Sequence, residues 1–89
     1  MNITKGIYMQ LSHTQNKVVQ LMNEGWDLSW YDGITVNCQL QKGGCGKGGE
    51  IKFISTGTVL ALRTKQVIVE LPREADQVHH LTRFGLKIL

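Results

Sequence analysis

Thr58-Val59-Leu60-Ala61-Leu62-Arg63-Thr64-Lys65-Gln66-Val67-Ile68 changes period partway along. Up to Lys65 the apolar residues fall at helical spacing. Val59 and Leu62 are three apart and face inward, with Leu60 at the margin of that face. From Val67 the spacing becomes two: Val67, Val69 and Leu71 alternate with Ile68 and Glu70, the pattern of a strand. A helix therefore runs into a strand with almost no connection. Ser55 or Thr56 can cap this helix at its start. Lys65 stands where a cation suits the C-terminal end of the helix dipole. Downstream, Pro72 to Asp76 reads as a polar turn, and Val78 to Leu81 as the returning arm of a hairpin. Thr82 to Leu89 reads as a short terminal helix or extension.

Upstream, Ser12 and Gln15 have the spacing of a capping box, in which each side chain satisfies a backbone N–H of the first turn. Val18, Leu21 and Met22 follow at helical spacing, with Lys17, Gln20, Asn23 and Glu24 on the other side. Gly25 suits the left-handed residue that ends a helix. These signals predict a helix over 12–24, preceded by a lead-in segment, 1–11. Trp26 to Leu40 reads as a hairpin turning at Asp32-Gly33. In its second arm Ile34, Val36, Cys38 and Leu40 alternate with polar residues and should face the core. A flexible glycine-rich loop, 42–49, follows, and Glu50 to Ile54 forms a third strand. The expected class is α+β, one domain over 1–89, in the order helix, hairpin, helix, hairpin.

Composition bounds the function. The chain has 89 residues, 42% of them hydrophobic and 19% charged, enough for one core and unlike a disordered segment. The net charge of +3 suits an anionic partner without demanding one. No apolar run approaches the roughly 18–20 residues of a membrane span, and Met1 to Gln10 lacks the pattern of a secretory signal. Two cysteines do not make a disulfide framework, so a reducing cytoplasm is the expected compartment.

Two stretches carry a family likeness. Thr58, Leu62 and Ile68 fit the T-x-x-x-L-x-x-x-x-x-I pattern common in winged-helix domains, where a recognition helix runs directly into the first strand of the wing. Leu81-Thr82-Arg83-Phe84-Gly85-Leu86-Lys87-Ile88-Leu89 resembles the L-T-x-x-G-x-x-x-L segment that many of them carry after the wing. The resemblance covers roughly residues 11–89. The chain departs from the family in one place: a hairpin and the glycine loop, 27–54, stand where a short middle helix is usual. A family of small bacterial toxins described as topoisomerase I inhibitors is similar in this respect, and Leu62-Arg63-Thr64-Lys65-Gln66-Val67-Ile68 is close to its L-K-T-K-x-x-I stretch.

The resemblance implies a helix laid against nucleic acid, with Thr56, Gly57, Thr58, Ala61, Thr64 and Lys65 outward and Arg63 flanking. Short Thr and Ala side chains meet thymine methyls or phosphates, and Lys and Arg neutralise phosphates. Lys42, Lys47 and Lys52 around the loop, and Arg73 in the wing, would extend the basic surface. The plainer reading is a set of scattered solvated charges interrupted by Glu50, Glu70, Glu74 and Asp76. The segment 43–49 fails as a phosphate loop, because the motif needs glycine at Gln41 and Ser or Thr at Gly48. Cys38, Cys45, His79 and His80 lack zinc-site spacing, Cys38 reading as a packed thiol, and His13 reads as solvated. Trp26 and Trp30 read as core. No metal, cofactor or catalytic constellation is expected.

Three readings follow. The first is a DNA-binding winged-helix protein, a homodimeric regulator of phage or mobile-element type. The second is a protein-binding inhibitor or adaptor that blocks a nucleic-acid enzyme such as a topoisomerase, polymerase or nuclease. The third is an interaction domain with no nucleic-acid role. A single Arg on the helix, Arg63, weighs against the first.

Overall fold

The computed structural model describes residues 11–33, 36–73 and 80–87. Helix α1 spans His13–Asn23 and helix α2 spans Thr56–Thr64. The strands are β1 (Asp27–Asp32), β2 (Val36–Gln41), β3 (Ile51–Ile54), β4 (Ile68–Glu70) and β5 (Leu81–Leu86). All pairings are antiparallel, in the order β3-β2-β1-β5-β4. The described part is thus an α+β fold of two helices and one five-stranded sheet.

Local chemistry sets both helices. The capping box at α1 is complete: the Gln15 N–H donates to Ser12 Oγ at 3.1 Å, and the Ser12 N–H donates to Gln15 Oε1 at 3.2 Å. Ser55 caps α2 by accepting from the Thr58 N–H at 3.2 Å. The two helices also end alike. The Gly25 N–H donates to the Met22 carbonyl and the Trp26 N–H to the Leu21 carbonyl; the Gln66 N–H donates to Arg63 and the Val67 N–H to Leu62. This paired closure needs a left-handed residue, supplied by Gly25 at φ 99° and by Gln66 at φ 60°. Each closure buries the next residue, Trp26 or Val67, and releases the chain straight into a strand.

Even-numbered strand residues face the helices. Leu28, Cys38, Leu40, Ile68 and Phe84 meet Val18, Val19, Leu21, Val59 and Leu62 in one core. Trp26 is buried in it, and Trp30 packs against it, half-buried. In the second hairpin arm Cys38 and Leu40 face the core as expected, but Val36 is exposed; Ile34 lies outside the described residues.

In the strand after α2, Ile68 is buried and Val69 exposed, while Val67 is buried where the helix closes. One expectation needs correction: among the described residues the returning arm, expected over Val78 to Leu81, is strand Leu81–Leu86, which takes up most of the segment expected as a terminal helix or extension. Phe84 pairs with Leu28 on one side and Glu70 on the other, so β5 is held by two neighbours. The lead-in 1–10, the turn residues Glu74 and Asp76, and Val78 and His79 lie outside the described residues.

The two phenylalanines separate packing from chemistry. Phe84 is 4% exposed and Phe53 75%. Phe84→Ala should cost about 3–5 kcal/mol in urea unfolding, and Phe53→Ala less than about 0.5 kcal/mol in the monomer.

Candidate functional site

The residues expected to bind fall into three separate places. The first is α2. With Val59 and Leu62 buried, its outermost positions are Gly57, Leu60 and Thr64, all exposed, with half-buried Ala61 beside them. Leu60 stands clear of the core at 47% exposure. Thr56 and Thr58 are half-buried, and the Thr58 hydroxyl lies 2.8 Å from Ser55 Oγ inside the cap. Arg63 lies 3.9 Å from Glu70, which sets a carboxylate beside the helix's one arginine. The Lys65 ammonium donates to Gln15 Oε1 at 2.9 Å and so ties α2 to the start of α1. The centre of the exposed face therefore carries no charge.

The second place is the loop between β2 and β3, which carries Lys42 and Lys47, both exposed. Four residues of β3, about 13 Å at a strand's rise, separate this loop from the α2 cap. The loop cations and the α2 threonines thus stand at opposite ends of one strand. Lys52, within β3, lies 5.8 Å from the centre of the Trp26 ring and 3.4 Å from Glu50.

The third place is the wing. Arg73 donates to the Leu81 carbonyl at 2.7 Å, which clips the end of β4 to the start of β5. Its guanidinium serves the hairpin. The nine expected contacts thus belong to three parts of the chain: α2 and its C-cap, the β2–β3 loop with β3, and the segment after β4.

The glycine loop is more structured than a bare tip. Gln41 is buried, and its side-chain amide spans the loop, donating to the Gly49 carbonyl at 3.2 Å and accepting from the Gly46 N–H at 2.9 Å. Asp27 accepts from the Cys45 N–H at 2.8 Å and from Arg83 at 3.2 Å. A Cβ at Gly49 would collide with the Lys42 carbonyl, so that position requires glycine. Sequence reasoning missed Asp27, Arg83 and Gln41, because a carboxylate and a guanidinium 56 residues apart leave no local signal.

Both thiols are free. Burial pushes the Cys38 thiol above its ordinary value of 9.0. A raised folded value means that the native state holds the proton more tightly. This contribution to stability is complete below pH 9.0 and is lost as pH rises through the folded value. Among the described residues, no group of three His, Cys, Asp or Glu side chains comes together to hold a metal, and no helix is long and apolar enough to cross a membrane.

Two outcomes follow. Asp27→Ala should cost about 1.5–3 kcal/mol, and exchange at the Cys45 amide should rise roughly tenfold or more by NMR. In the native protein a thiol reagent should label Cys45 and spare Cys38 until the chain unfolds.

No protein-family model matches the chain, and no curated protein or solved structure matches it.

Proposed function

We propose that the chain is a protein-binding domain of winged-helix-like layout, an inhibitor or adaptor without enzymatic activity that works in a reducing cytoplasm. The layout is supported by α2, which passes through Val67 into β4, the first strand of the β4–β5 hairpin, and by the β2–β3 hairpin standing before α2 where the family keeps a middle helix. The observation that carries the function is the outer face of α2. Gly57, Leu60 and Thr64 offer a smooth, uncharged surface, with Glu70 beside Arg63 and Lys65 engaged with Gln15. An exposed leucine amid small residues suits the apolar centre of a protein interface. A phosphate backbone calls for unopposed cations. The likeness to topoisomerase-inhibiting toxins adds the class of target: an enzyme that acts on nucleic acid.

DNA binding is the second reading. It is favoured by the helix-to-wing connection and by Lys42 and Lys47, which are exposed on the loop. A salt titration separates the two. The protein-binding reading predicts that duplex DNA binds no tighter than the roughly 10⁻⁴–10⁻⁶ M of non-specific contact at physiological salt. It also predicts that Leu60→Asp weakens capture of purified topoisomerase, polymerase or nuclease at least roughly tenfold, with the fold intact. Sub-micromolar DNA affinity that falls steeply with salt, and is lost in Arg63→Glu with Lys65→Glu, overturns it in favour of DNA.

A further inference from the structure

The outer edge of β3 is the least ordinary surface of the described fold. Among the described residues β3 ends the sheet, with β2 as its neighbour on one side. Phe53 is 75% exposed and Ile51 44%, side by side on the face away from the helices. Edge strands usually avoid large exposed apolar groups, because such an edge templates pairing with another chain.

The ladder shows which backbone groups face outward. The Lys42 N–H donates to the Glu50 carbonyl at 2.9 Å. Hydrogen-bonding direction alternates along a strand. Glu50, Lys52 and Ile54 therefore turn their amide groups toward β2, and Ile51 and Phe53 turn theirs to the open edge.

Charge then chooses among the registers centred on residues 50 to 52. In an antiparallel pair of identical strands related by a two-fold axis, directly opposed residues lie on the same face. A register centred on Lys52 sets lysine against lysine at the close, non-hydrogen-bonded spacing, and one centred on Glu50 sets glutamate against glutamate. Both oppose like charges. The register centred on Ile51 does the reverse. Glu50 of each copy meets Lys52 of the other, Ile51 meets Ile51 as a hydrogen-bonded pair, and Phe53 comes opposite Gly49, which has no side chain to obstruct it. Glu50 and Lys52 already attract each other within one chain at 3.4 Å, and their side chains are 59% and 47% exposed. The same two charges are free to exchange partners across the axis.

We infer that a second copy of this chain pairs with β3 in the Ile51-centred antiparallel register, extending the sheet across a two-fold axis with all helices on one face. The surface is separate from the outer face of α2, so it stands whether that face binds a protein or DNA.

A charge swap tests the register. Sedimentation equilibrium across a concentration series should show wild-type dimer. Glu50→Lys alone, or Lys52→Glu alone, should weaken the dimer roughly tenfold or more, since each sets like charges opposite each other at both symmetry-related positions. The double variant Glu50→Lys with Lys52→Glu should restore it. Lys52 also lies 5.8 Å from the centre of the Trp26 ring, so thermal unfolding is read on every variant, and the double variant, which loses that contact yet should restore the dimer, separates the register from any loss of stability. A second measurement uses disulfides in a Cys45→Ser background. Ile51→Cys places two Cα atoms about 5.5 Å apart across the axis and should cross-link under mild oxidation, whereas Lys52→Cys should not. A monomer up to millimolar concentration overturns the inference. So does a dimer indifferent to the single charge changes, or cross-linking through Lys52→Cys in place of Ile51→Cys.

Discussion

The last strand in the sequence holds the fold together. β5 lies between β1 and β4 and bonds to both. The Asp32 N–H donates to the His80 carbonyl at 2.9 Å on one side, and the Leu71 N–H to the Arg83 carbonyl at 2.8 Å on the other. Hydrogen bonding therefore alternates along β5, with Thr82 and Phe84 toward β1 and Arg83 and Gly85 toward β4. Phe84 anchors the strand to the core beneath α1 and α2. Without β5, β4 would have no described partner, and the first hairpin would carry a second open edge. The pairing spans more than fifty residues, between Leu28 and Phe84, and its closure entropy is met before its contacts are gained.

The helix ends prepare the two strands that β5 joins. Trp26 and Val67 are each buried by the same hydrogen-bonded closure, one residue after a left-handed turn. The chain leaves each helix already aimed into the sheet, which fixes where β1 and β4 begin. Gln66 holds a conformation that favours glycine, and its side chain accepts from Lys87 at 3.1 Å just beyond β5. What the sheet leaves outward then follows. One helix face carries Leu60 among small residues, and one strand edge carries Ile51 and Phe53. Both surfaces are apolar at the centre with charges at the margin.

Features governed by neighbours in sequence were legible without the structure. The box of Ser12 and Gln15, the stop at Gly25 and the alternation through Cys38 and Leu40 gave α1 and the β1–β2 hairpin within a residue or two. The phase of β4 was not legible, because Val67, Ile68 and Val69 are all β-branched and offer no polar residue to mark the outside. The returning arm was expected, but its extent through Leu86 was missed for a related reason. Thr82-Arg83-Phe84-Gly85-Leu86 has a weak period, and its strand character comes from partners on both sides. For the site, residue type located the cations but not their company. Glu70 beside Arg63, Gln15 beside Lys65 and Asp27 beside Arg83 are all tertiary pairings.

The central claim is that β5, inserted between β1 and β4, is the strand on which global stability rests. Native-state hydrogen exchange tests it most directly. The account predicts that the amides of Leu28, Trp30, Thr82, Phe84 and Gly85 are the slowest to exchange and open only with global unfolding, while those of β3 exchange through smaller local openings. It is contradicted if the β5 amides exchange as fast as those of β3, with β1 and β2 still protected.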